Sequence, residues 1–124
     1  MIIIDTSAWI EYFIDSKNAD MVERLLNEEE TMTPSLVLIE LSGKSAKENW
    51  DFKKYLSFIK SKSSIIGVNE DIIISCGKIY SEERKQKPSF SMIDATILAI
   101  ARNKNAKILT KDTHFRDYKE AIMI

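Results

Sequence analysis

The sequence predicts an α/β fold in which a short, mostly parallel central sheet is flanked by helices. Residues 1–7 are apolar until Asp5, and residues 106–110 form a second short apolar run followed by Asp112. A strand that is apolar on both faces lies inside a sheet covered by helices, so both runs are typical of buried parallel strands. Between them, apolar residues recur at helical spacing. Strands that alternate with helices predict a parallel sheet with right-handed crossovers.

Length and composition predict one domain that spans residues 1–124. The chain is 44% hydrophobic, which is enough for one core, and it has only three glycines and two prolines. The longest apolar runs are too short to span a membrane. The lone Cys76 cannot form an internal disulfide and falls among helical apolar positions, so we expect it to pack in the core of a cytoplasmic protein. The net charge of -1 does not by itself indicate a polyanionic partner.

In the first half of the chain, strands are expected at residues 1–4, directly before Asp5, and at residues 31–33. Helices are expected at residues 8–13, from residue 18 or 20 to residue 30, from residue 34 to about residue 47, and at residues 50–61. The third of these helices should begin at Thr33 and Pro34, because a hydroxyl N-cap followed by proline is a strong helix start. Asn49 is predicted to cap the fourth helix at its N-terminus.

The second half is expected to alternate in the same way. A strand at residues 64–68 precedes a helix capped by Asn69, and a basic loop covers residues 84–90. Ser91 and Asp94 have the spacing of a capping box at the start of the next helix. The chain then forms the strand at residues 106–110, a turn or short helix, and an edge strand at residues 122–124.

Two acids in the first third of the chain are candidates for chemistry. Asp5 follows the first strand, and open parallel sheets place their ligand sites beyond the carboxyl ends of the strands. The alternative is that Asp5 only caps the following helix. Glu40 lies within the apolar stripe of its helix, where a carboxylate needs a cation or a hydrogen-bonding partner. An ion pair with arginine or lysine is the alternative for Glu40.

Two further acids follow in the last third of the chain. Asp94 shares a helix face with Ile97, Leu98 and Ala101, so it aligns with a buried stripe as well as with a cap. Asp112 follows the strand at residues 106–110. Together with Asp5 and Glu40, these acids are expected to converge on one cleft. Gathered carboxylates repel, and an all-oxygen set suits Mg²⁺ or Mn²⁺ better than zinc.

Neighbouring polar residues are candidates for supporting roles. Thr6, Ser7 and Thr110 are expected to hydrogen-bond to the carboxylates or to the substrate, although helix capping and strand-end packing explain them equally well. Ser91 belongs to the same group through its capping box. His114, the only histidine, lies two residues after Asp112, where it could help bind phosphate, but we expect it to be a surface residue.

The order of these motifs along the chain resembles the PIN domain family, and most closely its VapC-type toxins. The matching stretches are residues 3–7 (IIDTS), Glu40, residues 91–95 (SMIDA) and residues 109–115 (LTKDTHF). The resemblance implies a Mg²⁺- or Mn²⁺-dependent endoribonuclease that uses a metal-activated water. It also implies a homodimer and a small antitoxin protein as a partner.

On this sequence, the resemblance assigns the metal-site roles to Asp5, Glu40, Asp94 and Asp112. Many members of the family carry a further acid shortly after the last of these. Here His114 occupies the nearby position, and Asp117 is the candidate for an additional acid.

Three other functions are compatible with parts of the pattern. A catalytically inactive PIN-like module would bind a protein partner through the same pocket. A receiver-type phosphorylation switch would need an acid pair after the first strand, but Asp5 stands alone, and it would need an aspartate at the end of residues 64–68. A small phosphatase that uses Asp5 as nucleophile would need a second aspartate at the position of Ser7. The nuclease accounts for all four acids.

Overall fold

The computed structural model describes all 124 residues and confirms the α/β class. Its elements in chain order are β1 (Ile2–Ile4), α1 (Thr6–Phe13), α2 (Ala19–Glu28), β2 (Thr31–Pro34), α3 (Ser35–Glu48), α4 (Phe52–Lys62), β3 (Ser64–Ile66), α5 (Glu70–Arg84), α6 (Met92–Lys104), β4 (Lys107–Thr110), a single 3₁₀ turn (Thr113–Phe115) and β5 (Ala121–Met123). No helix is both long enough and apolar enough to cross a membrane.

The five strands form one sheet in the order β3-β2-β1-β4-β5, and every neighbouring pair is parallel. In the register between the two central strands, Ile4 of β1 lies opposite Leu109 of β4. From β1, the chain adds β2 and then β3 on one side of the sheet. It then adds β4 and β5 on the other side of β1. Such a switch point opens a crevice at the carboxyl ends of the strands. A receiver-type switch has the strand order 2-1-3-4-5, so the observed order excludes that alternative.

The core lies around the central strands and α6. Ile3 and Ile4 are fully buried, as the unbroken apolar run predicted, and α6 contributes a nearly continuous buried face. Trp9, Phe90 and Phe115 are the largest completely buried side chains. Phe115 lies immediately after the segment that carries Asp112, so its burial holds that segment against the sheet.

Local capping signals are confirmed at two helices. The Asn69 side chain accepts a hydrogen bond from the backbone N–H of Ile72 at 2.9 Å. At the start of α6, Ser91 and Asp94 form the complete capping box: each side chain accepts from the other residue's backbone N–H, at 3.0 Å and 2.9 Å. Each motif satisfies backbone donors that the first helical turn leaves unpaired.

The expectations for Thr33 and Asn49 are wrong. Thr33 belongs to β2, and its hydroxyl contacts Trp9 Nε1 at 3.1 Å and Ser63 Oγ at 2.8 Å, so it does not cap α3. Asn49 ends α3 in the left-handed conformation, with a φ of 57°, and Asp51 caps α4 instead. Asparagine tolerates the left-handed region better than most residues, which makes it suitable for either end of a helix.

Candidate metal centre

The four predicted acids line one cavity of about 320 Å³, together with His114. Asp5 follows β1, Asp112 follows β4, Glu40 projects from α3, and Asp94 projects from the first turn of α6. The parallel pairing of β1 with β4 brings the first two acids to the same edge of the sheet. The cavity therefore lies at the switch point of the sheet, where ligand sites of open α/β folds are found.

Asp5 is held by hydrogen bonds that have no capping function. It occupies the N-cap position of α1, yet its side chain makes no cap bond. Instead, its Oδ2 accepts from Thr110 Oγ1 at 2.8 Å and from Ser7 Oγ at 3.3 Å. Burial, with smaller contributions from the charges of Glu40 and Asp112, raises the pKa of Asp5 to about 6, although the bond from Thr110 opposes the shift. Asp5 thus remains a carboxylate at neutral pH at a cost to the stability of the fold.

Glu40 is anchored to the neighbouring helix by a neutral partner. Its Oε1 accepts a hydrogen bond from Thr6 Oγ1 at 2.8 Å. The ion pairs of lysine and arginine reach other acids, namely Glu11, Glu48, Asp117 and Glu120. The alternative of a structural ion pair at Glu40 is therefore wrong.

Asp94 and Asp112 both lie close to the Nδ1 atom of His114. The ring atom Nδ1 lies 2.9 Å from Asp94 Oδ2 and 3.5 Å from Asp112 Oδ1. The backbone N–H of His114 also donates to Asp112 Oδ1 at 2.9 Å. The prediction of a surface histidine missed this placement, because the contact joins α6 to a turn that follows β4.

All four carboxylates share one arrangement. One oxygen of each accepts the hydrogen bonds described above, and the other oxygen has no side-chain hydrogen-bond partner. Ligand atoms of Asp94, Asp112 and His114 lie within 4.8 Å of one another. Since no lysine or arginine neutralises these acids, the cavity carries an excess of negative charge that a divalent cation would relieve. The donor set therefore fits a metal ion.

The remaining predicted residues divide into two groups. Thr6, Ser7 and Ser91 line the cavity, and Thr110 lies buried behind Asp5. Asp117 is outside the cavity, where its side chain is 79% exposed and lies 3.7 Å from Lys87 Nζ. The structure thus brings together every predicted site residue except Asp117.

Thr110 connects both strand ends, so its removal is expected to weaken the fold and the site together. Its Oγ1 donates to Asp5 Oδ2 and accepts from the backbone N–H of Asp112 at 2.9 Å. Thr110→Val keeps the shape but removes both bonds, so Asp5 Oδ2 keeps only the longer bond from Ser7 and the N–H of Asp112 loses its partner. This should lower the free energy of unfolding by about 1–3 kcal/mol. Thr110→Ser, which keeps the hydroxyl, should remain close to wild type. Urea unfolding of both variants tests this, and a Thr110→Val variant as stable as wild type would contradict the role of the hydroxyl.

Comparisons with known proteins agree with this geometry. The family model described as the PIN domain matches residues 2–121. The chain belongs to the PIN domain family. Among curated proteins, none matches the sequence.

Several solved structures share this PIN fold. A toxin–antitoxin complex from Klebsiella pneumoniae has a TM-score of 0.78 at 18% identity, covering 99% of this chain and 97% of that chain. VapBC2 from Rickettsia felis, bound to a DNA fragment from its promoter, has a TM-score of 0.78 at 20% identity, covering 100% and 98%. VapC20 from Mycobacterium tuberculosis, a Sarcin-Ricin loop cleaving toxin, has a TM-score of 0.69 at 17% identity, covering 96% and 95%. At these identities the likeness shows the fold alone.

Proposed function

We propose that this PIN protein is a metal-dependent endoribonuclease that hydrolyses RNA phosphodiester bonds. The observation that carries the proposal is the set of four carboxylates around one cavity, each held through one oxygen by the protein. The second oxygen of each of the four carboxylates has no side-chain partner, so it is available to a cation. Four such acids together favour a site for Mg²⁺ or Mn²⁺ over a structural cluster.

In this function Asp5, Glu40, Asp94 and Asp112 would hold the metal. A bound divalent cation would supply charge stabilisation for the phosphate oxygens and would activate water as the nucleophile. The chain's own contribution is to fix the carboxylates before the cation arrives. The hydroxyls of Thr6, Ser7 and Thr110 donate to Glu40 and Asp5. The backbone N–H groups of Ser91 and His114 donate to Asp94 and Asp112, so that each carboxylate is held in one orientation.

We further propose that the protein is the toxin of a toxin–antitoxin pair, forms a homodimer and acts in the cytoplasm. The support is the fold shared with the Klebsiella pneumoniae and Rickettsia felis complexes over nearly the whole of each chain. The partner would be a small antitoxin that closes the acidic cavity. Adding the product of a short neighbouring reading frame should inhibit RNA cleavage, and unchanged cleavage in a stable complex would contradict this role.

The first test is cleavage of a structured RNA and of a matched single-stranded DNA by purified protein with Mg²⁺, Mn²⁺ or EDTA. We expect RNA cleavage with metal, none with EDTA, and none by a variant that lacks one cavity carboxylate, which controls for contaminating ribonuclease. Folded, inhibitor-free protein that cleaves neither substrate with either metal would favour the alternative of an inactive partner-binding module.

Metal binding should also stabilise the fold. A cation that binds only the folded state adds about 2.7 kcal/mol to the free energy of unfolding at a hundred times its Kd. It also relieves the repulsion between the carboxylates. Saturating Mn²⁺ should therefore raise the melting temperature by several degrees, and EDTA should reverse the change. A melting temperature that does not respond to millimolar Mn²⁺ or Mg²⁺ would contradict a metal site.

A further inference from the structure

We propose that His114 is a direct ligand of the metal through Nδ1, so that the site combines nitrogen and oxygen donors and selects Mn²⁺ over Mg²⁺. This inference rests on the proposed metal site and specifies which ion it takes. Its starting point is that His114 is the only basic side chain that contacts any of the four cavity acids.

The distances from Nδ1 to the two carboxylates match the spacing between adjacent ligand atoms on one metal ion. Metal–ligand distances of about 2.1 Å in octahedral geometry place adjacent ligand atoms about 3 Å apart. Nδ1 lies 2.9 Å from Asp94 Oδ2 and 3.5 Å from Asp112 Oδ1. One ligand atom from each of Asp94, Asp112 and His114 lies within 4.8 Å of the others, so one cation can bind all three residues after a small adjustment of the side chains.

The backbone presents the ring to the cavity. His114 lies in the 3₁₀ turn Thr113–Phe115, and its own N–H donates to Asp112 Oδ1 at 2.9 Å. The next residue, Phe115, is 1% exposed and anchors the turn in the core. The His114 side chain is 37% exposed, so it is accessible to an ion from solvent while its backbone is fixed.

The ligand preferences of Mg²⁺ and Mn²⁺ explain why the site should select Mn²⁺. Mg²⁺ takes oxygen ligands almost exclusively, whereas imidazole is a common ligand of transition metals. A neutral imidazole with its proton on Nε2 has a lone pair on Nδ1. The carboxylates still dominate the set, and among transition metals Mn²⁺ is the one that carboxylates suit best. The mixed set therefore favours Mn²⁺.

Mn²⁺ bound to the tag-free protein provides a test that does not require activity. Because the chain has a single histidine, any imidazole nitrogen on the ion must come from His114. Electron spin echo spectroscopy should show nitrogen hyperfine coupling in the wild type, and the coupling should change when histidine carries the heavy nitrogen isotope. His114→Phe should lose the coupling and weaken Mn²⁺ binding by about tenfold to a hundredfold.

Two more variants separate ligation from general effects on the fold. His114→Asp replaces nitrogen by a carboxylate oxygen, so it should retain metal binding but shift the ratio of Mn²⁺ to Mg²⁺ affinity towards Mg²⁺ by about tenfold or more. Asp117→Asn changes an acid outside the cavity and should leave that ratio unchanged. Mn²⁺ binding without nitrogen coupling would overturn the inference and leave the ribonuclease proposal intact. Nitrogen coupling in a protein that cleaves no RNA would support His114 as a ligand and contradict the nuclease.

Discussion

Asp94→Asn is expected to abolish RNA cleavage and to leave the fold intact. The asparagine amide oxygen can still accept from the backbone N–H of Ser91, and the Ser91 hydroxyl can still accept from the backbone N–H of residue 94, so the capping box survives. The substitution removes one of the charges that would hold the metal. A loss of several kcal/mol of transition-state stabilisation corresponds to a fall in the cleavage rate of about a thousandfold or more.

The single-turnover cleavage rate and the thermal unfolding curve should be measured on the same preparations. Asp117→Asn is the matched control, because it makes the same chemical change on an exposed side chain outside the cavity. It should cleave at the wild-type rate. Unfolding of Asp94→Asn would show that the acid has a structural role, and wild-type cleavage would remove it from the metal site.

Asp5→Asn should produce an inactive protein that is more stable than wild type at neutral pH. Burial raises the pKa of Asp5 from 3.8 to about 6. A shift of that size corresponds to an upper limit of roughly 3 kcal/mol, which the folded protein loses by keeping the group ionised. The neutral amide avoids this cost and can still accept from Thr110. We expect a gain of about 1–3 kcal/mol at pH 7.5 without metal.

The pH dependence of the free energy of unfolding tests whether the charge on Asp5 causes this difference in stability. Between about pH 4 and pH 6, the folded protein keeps a proton on Asp5 that the unfolded chain releases, so this group lowers wild-type stability as the pH rises through that range. Above about pH 6, Asp5 is ionised in the folded protein, and the full free-energy cost of burying its charge is present. Urea unfolding across this range should therefore show that the advantage of Asp5→Asn is largest above pH 6 and vanishes near pH 4. A constant advantage at every pH would assign it to hydrogen bonding or packing.

Predictions based on local interactions were confirmed where the interaction stays within one helical turn. Asn69 and the pair Ser91 and Asp94 cap their helices with bonds that span three residues, and such spacing is visible in the sequence. Asn49 was assigned to the wrong end of a helix, because asparagine satisfies both an N-cap and a left-handed C-terminus. The residues next to Asn49 in the sequence do not show whether it begins or ends a helix.

Predictions failed where a side chain finds its partner across the sheet. The local sequence at Thr33 is typical of a helix start, but the Thr33 hydroxyl accepts a hydrogen bond from Trp9 Nε1 on α1 instead. His114 reaches Asp94 on α6, 20 residues earlier, and only the packing of that helix beside β4 reveals the contact. The alternation of strands and helices sufficed to predict that Asp5 and Asp112 meet, because parallel strands deliver their last residues to one edge. It could not predict which neutral or basic groups surround them.

The bond between Asp5 and Thr110 joins residues that are 105 positions apart. During synthesis β1 is made first, but its neighbour β4 is made only after residue 107 has been added. Asp94, Asp112 and His114 likewise belong to the last third of the chain. A nascent chain of this protein therefore has no complete acid cluster until residue 114 has been added. We expect chains arrested before residue 105 to cleave no RNA, and cleavage by such chains would show that β4 is dispensable.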